Sequence, residues 1–281
     1  MSVQTSSLAG TTDLVVPARL ARSWQLVSAL RLVGAADGSP ADATVFDVED
    51  AVPAAEKAAA RMAVVSWLAS RSGWVRVNDA TTEYWRSDLA AIGTSTGLLG
   101  VMLAKVESGA QVAETAALLP DGVRIVALIE SAVGLEAVSE VAREPATFRL
   151  AFGSGDFRRD TGVGDDPIAL AYARSRLVVA SAAAGIPGPI DGPTLTDSTD
   201  HLITATLHAR SMGMTGKLTL RGDQAAHINA GLSPSAAERS WARDTLERAN
   251  GDAIIDGSYL PTLARARAVV SLASAYGLAD T

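Results

Sequence analysis

Acidic side chains recur directly after short apolar runs in this sequence. Glu130 follows the run 124–129, and Asp156 follows the run 148–152 across Gly153-Ser154-Gly155. Carboxylates that share one site repel each other unless a cation lies among them. Mg²⁺ is a hard cation that takes one or two protein carboxylates and fills its remaining positions with water and substrate oxygens. We therefore predict Glu130 and Asp156 as the ligands of a Mg²⁺ ion and as catalytic residues.

Three further residues complete the predicted site. Gly155 leaves space beside Asp156 for substrate, so we place it among the substrate-binding residues together with Glu130. Arg76 ends another apolar run, and its planar guanidinium would hold a substrate carboxylate through two parallel hydrogen bonds. We assign Arg76 both a binding and a catalytic role. Asp50 is placed among the substrate-binding residues too, although it could instead cap the helix that follows it.

Eight short apolar runs predict eight strands that alternate with helices. Most runs are apolar on both faces, which is typical of strands buried in a parallel sheet. Eight such units without a break in composition predict a single α/β domain over residues 1–281, a (β/α)8 TIM barrel. A doubly wound sheet is the alternative, but no glycine fingerprint follows the first run. The predicted strands are Leu14–Pro17, Ala43–Val48, Trp74–Val77, Gly100–Lys105, Arg124–Ile129, Phe148–Phe152, Gly188–Asp191 and Gly216–Leu220.

Helical patterns fill the intervals between the runs and continue beyond the last one. The barrel class places its active site at the carboxyl ends of the strands, where Arg76, Glu130 and Asp156 fall. The residues 250–281 are predicted as a helical C-terminal extension that packs at a subunit interface. The predicted helices are 53–70, 82–92, 109–118, 131–142, 167–184, 197–212 and 233–249, with one or two more in 254–279.

Composition excludes several classes of protein. The chain has 281 residues, 48% of them hydrophobic, a net charge of −7 and no cysteine. The apolar content is too high for a disordered chain, and the absence of cysteine excludes disulfide scaffolds and thiolate chemistry. The acidic balance argues against binding of nucleic acid. No apolar stretch is long enough to cross a membrane, and no targeting segment is visible, so we expect a cytoplasmic protein.

Several chemically suggestive residues have structural alternatives. Glu107-Ser108 precedes a predicted helix and is expected to cap it. Lys105 and Lys217 could be apolar stems that carry their charge to the surface. The Gly93–Gly97 segment matches the pattern of a nucleophile elbow, but a helix precedes it and a strand follows it, which is the wrong order. We expect this segment to be a loop.

Taken together, the motifs at the strand ends resemble the citrate lyase β-subunit-like family, which includes malyl-CoA, citramalyl-CoA and citryl-CoA lyases. The resemblance runs from about Val15 to Ala268 and rests on motifs in a fixed order. These motifs are Phe46-Asp47-Val48-Glu49-Asp50-Ala51-Val52, Val75-Arg76-Val77-Asn78, Val101–Ser108, Ala127–Ser131, Leu150–Phe157, Gly188–Gly192 and Gly213–Lys217.

The resemblance implies a barrel that assembles as a homotrimer or hexamer, with Mg²⁺ at the positions of Glu130 and Asp156. It implies a 3-hydroxyacyl-CoA substrate that a carbon–carbon lyase cleaves to an acyl-CoA and a 2-oxo acid. Lys57 and Arg61 are the residues expected to contact the phosphates of CoA. The expected partners are therefore small molecules and further copies of the chain, with no nucleic acid and no membrane.

Two segments depart from the pattern of the family. Family lyases often carry a Gly-x-Met-Ile-Asp segment whose aspartate reaches a neighbouring subunit, and Pro261 stands where this aspartate should fall, with Asp256 as a possible substitute. The usual Ile-His-Pro-Arg-Gln run reads Leu220–Gln224 here. The missing aspartate keeps open an acyl-CoA thioesterase at the same metal site. Two further alternatives are an aldolase that uses free 2-oxo acids and a regulatory subunit without turnover. A Schiff-base aldolase would need Lys105 or Lys217.

Overall fold

A closed barrel of parallel strands forms the centre of the protein. The computed structural model describes residues 16–32, 39–249 and 257–278. Its strands are hydrogen-bonded to their neighbours in chain order, and the last pairs with the first, which confirms the predicted (β/α)8 architecture. The strands are β1 Ser23–Ser28, β2 Ala43–Asp47, β3 Gly73–Val77, β4 Leu98–Leu103, β5 Arg124–Ile129, β6 Thr147–Phe152, β7 Ile190–Asp191 and β8 Gly216–Thr219.

Helices occupy the segments between the strands and continue after β8. One face of a helix is buried against the barrel, so buried positions recur every three or four residues, as at Ala60, Val64 and Leu68. The helices in the described residues are α1 Lys57–Leu68, α2 Glu83–Ile92, α3 Gly109–Ala117, α4 Ala132–Arg143, α5 Ser154–Thr161, α6 Ala171–Ala184, α7 Thr199–Ser211, α8 Ala225–Leu232, α9 Ala236–Ala249 and α10 Tyr259–Ala275.

Two apolar clusters follow from the alternation of side chains along each strand. One cluster fills the interior of the barrel, and Trp24 and Trp74 lie within it at an edge-on distance of 5.0 Å between ring centroids. The other cluster lies between the strands and the surrounding helices and includes Val75, Ile125 and Leu177. The interior of the barrel is therefore filled by side chains, and a barrel of this kind binds its substrate at one end.

The prediction of a first strand at Leu14–Pro17 is wrong. Val16 and Pro17 lie outside any strand, Leu14 and Val15 lie outside the described residues, and the first strand is Ser23–Ser28. The alternating polar residues Ser23 and Gln25 hid this strand, since the apolar run before it is the stronger β pattern. The predicted seventh strand is correct in place but shorter, because Pro187 and Pro189 have no amide hydrogen for a ladder.

The helices differ from the predictions at several boundaries. Helices α5 and α8 were not predicted. Ser235, rather than Ser233, caps α9, since its hydroxyl accepts the amide of Glu238 while the Glu238 carboxylate accepts the amide of Ser235. The tail forms one helix among the described residues, and Ile254 lies outside them.

The described residues fall into two compact units. The first is the barrel with its helices, Ala18–Leu232. The second begins at Ser233 and contains α9 and α10, which pack against each other. None of the described helices is both long and apolar enough to cross a membrane.

Candidate active site at the carboxyl ends of the strands

Strand alternation brings three of the charged residues to one place. Val45 and Asp47 face inward on β2, Trp74 and Arg76 face inward on β3, and Leu128 with Glu130 continues the inward series of β5. Each charged residue thus lies two positions after a residue of the barrel interior and faces the same side of the strand. The interior is apolar up to this level and ionic above it, which concentrates charge at the carboxyl ends of the strands.

Arg76 is held in an ionic cluster with two acids. Its Nε and Nη2 donate to the two carboxylate oxygens of Asp47, at 2.9 and 2.6 Å, and its Nη1 lies 3.2 Å from Glu49 Oε2. Burial alone would lower the pKa of Arg76, but Asp47 and Glu49 raise it above its usual range. The guanidinium is therefore a permanent positive charge, with its two-pronged edge turned to Asp47.

Glu130 is buried in the mouth, with 5% of its surface exposed. The backbone amide of Lys105 donates to Glu130 Oε1 at 2.9 Å, and no described residue donates to Oε2. Burial raises the pKa of Glu130 to about 8, with Glu49 and Asp156 adding to the rise and Arg76 opposing it. Glu130 and Asp156 follow the paired strands β5 and β6, so the two predicted ligands lie at adjacent strand ends.

Asp156 lies in the first turn of α5, directly after β6. Its Oδ2 is buried and accepts no hydrogen bond, but it forms an ion pair with Arg159 Nη2 at 3.1 Å. A side chain added at Gly155 would meet nothing within 4 Å, so the expected open space is present. Gly153, in contrast, must be glycine, because a Cβ there would lie 2.3 Å from Glu130 Oε2.

The two carboxylates fit a divalent cation. Glu130 Oε2 and Asp156 Oδ2 accept no hydrogen bond, and Glu130 is buried near two further acids, Glu49 and Asp156. A bound divalent ion would balance these negative charges. The described residues contain no cluster of three acids or histidines around one point. Two carboxylates suit Mg²⁺, which keeps several water ligands, better than Ca²⁺ or Zn²⁺.

Lys57 and Arg61 lie in a polar network that meets the mouth of the barrel at Glu49. The ammonium of Lys57 is buried and donates to the carbonyls of Val48 and Glu49 and to Asn78 Oδ1, at 2.7 to 2.9 Å. Arg61 pairs with the buried Asp88 at 3.0 Å. All three donors of Lys57 are used in holding β2, β3 and α1 together. Neither residue is hydrogen-bonded to Glu130 or Asp156 among the described contacts, and their contact with CoA stays a prediction.

Asp50 does not cap a helix. Its side chain is half exposed and lies 3.9 Å from the ammonium of Lys105. The cap-like role belongs to Asp47, whose two oxygens accept the amides of Glu49 and Ala51. The contact of Asp50 with substrate stays a prediction.

Three residues of the mouth were not among the predicted site residues: Asp47, Glu49 and Lys105. Glu49 is 4% exposed, and burial raises its pKa. Lys105 donates to Glu49 Oε1 at 3.2 Å. Their position at strand ends was visible in the sequence, but they could not be told from helix caps or surface charges. Asp47 could have been found only by counting two residues on from Val45, because alternate side chains of a strand face the barrel interior.

The structural alternatives for other residues are largely correct. Ser108 caps α3 in a reciprocal pair with Gln111. Lys217 is not a surface stem, because it is buried and donates to Asp191 Oδ2 at 2.9 Å and to the carbonyl of Gly192. Gly93–Gly97 is a loop between α2 and β4.

The structure locates two of the residues that depart from the family pattern, Arg221 and Pro261. Arg221 follows β8 and is paired with Asp197 and Asp223 on the exposed surface. Pro261 lies in the first turn of α10, where proline is tolerated because the first amides have no helical partner. Asp256, the candidate substitute for the missing aspartate, lies outside the described residues.

A closed (β/α)8 barrel with acids and a buried arginine at the carboxyl ends of its strands has the arrangement of a barrel enzyme. The family profile described as HpcH/HpaI aldolase/citrate lyase matches residues 24–221, and the profile of the HpcH/HpaI aldolase C-terminal domain matches residues 237–277. The chain belongs to the HpcH/HpaI aldolase/citrate lyase family. The resemblance found in the motifs is thereby confirmed.

Named relatives cover most of the chain. A (3S)-malyl-CoA thioesterase of Cereibacter sphaeroides is 31% identical over 264 residues, 89% of this chain and 92% of the relative. The mitochondrial citramalyl-CoA lyase of Homo sapiens is 27% identical over 83% of this chain and 79% of its own. The crystal structure of CitE from Mycobacterium tuberculosis with magnesium, acetoacetate and coenzyme A matches with a TM-score of 0.76 and 25% identity, over 91% of this chain and 99% of that one. The citramalyl-CoA lyase supports the predicted lyase class.

Proposed function

We propose that this protein is a Mg²⁺-dependent carbon–carbon lyase that cleaves, or in reverse forms, a 3-hydroxyacyl-CoA such as citryl-, malyl- or citramalyl-CoA. The products of cleavage are an acyl-CoA and a 2-oxo acid. The observation that carries the proposal is the pair Glu130 and Asp156, each with a carboxylate oxygen that lacks a hydrogen-bond donor at the mouth of the barrel. Relatives named for action on malyl-CoA and citramalyl-CoA support the substrate class.

Glu130 and Asp156 would hold the ion. Mg²⁺ bound there would supply a Lewis acid that lowers the pKa of a substrate hydroxyl. Arg76, fixed by Asp47 and Glu49, provides a positive charge beside the reacting oxygens and neutralises negative charge as it develops. Gly155 leaves the entry beside Asp156 open.

The reaction needs one proton removed and one delivered. Loss of the hydroxyl proton to a base turns the hydroxyl carbon into the carbonyl of the 2-oxo acid. The electron pair of the broken carbon–carbon bond passes to the α-carbon of the thioester, which then takes up a proton to give the acyl-CoA. Asp50 is half exposed at the mouth, and we assign this residue to substrate binding.

A thioesterase is the second candidate, and two observations favour it. Pro261 stands where family lyases carry the aspartate of the neighbouring subunit, and the malyl-CoA relative is a thioesterase. Water attack on the thioester carbonyl would release free CoA and a hydroxy acid, without use of that aspartate.

Product analysis by mass spectrometry separates the two candidates. The protein is incubated with malyl-CoA, citramalyl-CoA and citryl-CoA in Mg²⁺, with and without EDTA. We expect an acyl-CoA and a 2-oxo acid, abolished by EDTA and by Glu130→Gln or Asp156→Asn. Glu136→Gln is the matched control, since Glu136 is exposed on α4.

Each other result has a definite meaning. Free CoA with an intact hydroxy acid would assign the thioesterase. Full turnover by Glu130→Gln or in EDTA would contradict the metal site. Turnover of none of the three thioesters would exclude this substrate class and turn the search to free 2-oxo acids with aldehydes.

We infer a homotrimeric or hexameric assembly from the family, with residues 250–281 at the subunit interface. Sedimentation velocity at micromolar concentration tests this inference, and a monomer would contradict it. The expected cytoplasmic location stays a prediction.

A further inference from the structure

Lys105 has an unusual backbone conformation at the mouth of the barrel. Its φ is 49°, and within the described ranges no other residue besides glycine has a positive φ. In this left-handed region Cβ crowds the following carbonyl, so side chains other than those of Asn and Asp seldom occupy it. Such conformations persist where the surroundings hold them, and they concentrate at functional sites.

The neighbouring amides show what this conformation does. The amide of Ala104 donates to the carbonyl of Val77 on β3 at 3.3 Å, and the amide of Val106 donates to the carbonyl of Leu128 on β5 at 3.0 Å. The chain is therefore tied to a neighbouring strand on each side of Lys105. The amide between them donates instead to a side chain, Glu130 Oε1, at 2.9 Å. The left-handed turn is what directs that amide at the carboxylate.

The side chain of Lys105 contacts the acids that follow β2. Its ammonium lies 3.2 Å from Glu49 Oε1 and 3.9 Å from Asp50 Oδ1, on the loop after β2. Glu49 is buried and is also paired with Arg76. Lys105 thus joins the acids that follow β2 to the acid that follows β5.

We propose that Lys105 is a positioning residue for the metal ligand Glu130 and that it acts through its backbone amide. The inference rests on the proposed Mg²⁺ site. By occupying Oε1, the amide fixes the rotation of the carboxylate and leaves Oε2 for the cation. The ion pair with Glu49 supports the turn, but it does not orient Glu130. Outer groups that orient a ligand in this way commonly change metal affinity by a factor of about 10 to 100.

Two substitutions separate the backbone from the charge. Lys105→Asn and Lys105→Val both remove the ammonium, but asparagine tolerates the left-handed conformation and the β-branched valine does not. Mg²⁺ affinity is measured by isothermal titration calorimetry at constant pH, without substrate. We expect Lys105→Asn and Lys105→Gly to bind Mg²⁺ nearly as the wild type does, and Lys105→Val to bind roughly 10- to 100-fold more weakly.

The controls keep the outcomes distinct. Thermal unfolding in EDTA reports whether each variant is folded, and Lys105→Ala replaces Lys105→Val if the latter does not fold. Equal affinity in the valine and asparagine variants would overturn the proposal, because it would show that the backbone conformation does not matter. Wild-type protein that binds no Mg²⁺ would instead overturn the metal site itself, and the positioning role with it.

Discussion

Asp47 and Arg76 are register partners on β2 and β3, and their side chains form a two-point ion pair inside the mouth of the barrel. Arg76 was expected to give this edge of its guanidinium to a substrate carboxylate. In the structure the edge is turned to Asp47, so a substrate would meet the Nη1 side that also contacts Glu49. The binding role of Arg76 stays a prediction, and it requires the substrate to approach the Nη1 side of the guanidinium.

Removal of Asp47 is expected to destabilise the fold. Asp47→Ala leaves the buried guanidinium of Arg76 with one acidic partner, and loss of one member of a buried pair lowers the free energy of unfolding by about 3–5 kcal/mol. Urea unfolding followed by circular dichroism measures this change. Asp165→Ala is the control, because Asp165 pairs with Arg158 on the surface, where about 0–1 kcal/mol is expected. Equal effects of both substitutions would contradict the structural role of the Asp47 pair.

The glycines on either side of Ser154 give a matched pair of substitutions. Gly153→Ala places a Cβ 2.3 Å from Glu130 Oε2 and must displace the carboxylate, whereas Gly155→Ala meets nothing within 4 Å. We expect Gly153→Ala to weaken Mg²⁺ binding by at least about 10-fold, which is the smaller of the effects on metal affinity seen when groups that orient a ligand are lost. Gly155→Ala should leave Mg²⁺ binding unchanged. Calorimetric titration tests both. The geometry of the ligand pair would be contradicted by an unaltered Mg²⁺ affinity in Gly153→Ala.

Glu130 makes the stability of the metal-free protein depend on pH. Burial raises its pKa from 4.5 to about 8, so the folded state retains a proton that the unfolded state has lost. This group therefore lowers stability as the pH rises from about 4.5 to about 8. Glu130→Gln cannot titrate, so its unfolding temperature relative to the wild type should rise between pH 5 and pH 8, measured in EDTA.

Mg²⁺ should reverse this trend. The ion favours the ionised carboxylate, so the stabilisation that Mg²⁺ gives the wild type is expected to grow as the pH approaches 8. A difference between wild type and Glu130→Gln that does not change with pH in EDTA would refute the raised pKa.

A Schiff base on lysine is not expected. Burial lowers the pKa of Lys105, but Glu49 and Asp50 outweigh this effect and the net shift is upward, which keeps the ammonium protonated. Lys217 is buried, and its ammonium donates to Asp191 and to the carbonyl of Gly192. Borohydride treatment with pyruvate should leave the mass of the protein unchanged. A trapped adduct on either lysine would revive the class I aldolase alternative.

Much of the architecture was predictable from the order and the period of the apolar runs. Strands β2 to β8 were each located to within a few residues, because strands buried on both faces have continuous apolar stretches. The predicted number of eight strands, which favoured closure, included the wrong segment Leu14–Pro17, and the true β1 at Ser23–Ser28 closes the barrel. The first strand was missed, since Ser23 and Gln25 interrupt its apolar pattern and only its pairing with β2 and β8 defines it.

The sequence by itself determined which residues stand at the strand ends, and with them the acids Glu130 and Asp156, because position along a strand is a local property. The tertiary structure alone decided their partners. Arg76 and Asp47 are 29 positions apart, Lys105 and Glu130 are 25 apart, and Lys105 and Glu49 are 56 apart. Contacts at such separations depend on strand register and on burial, which raises the pKa of Glu130. The left-handed turn at Lys105 has no local signal either, because lysine has no preference for it.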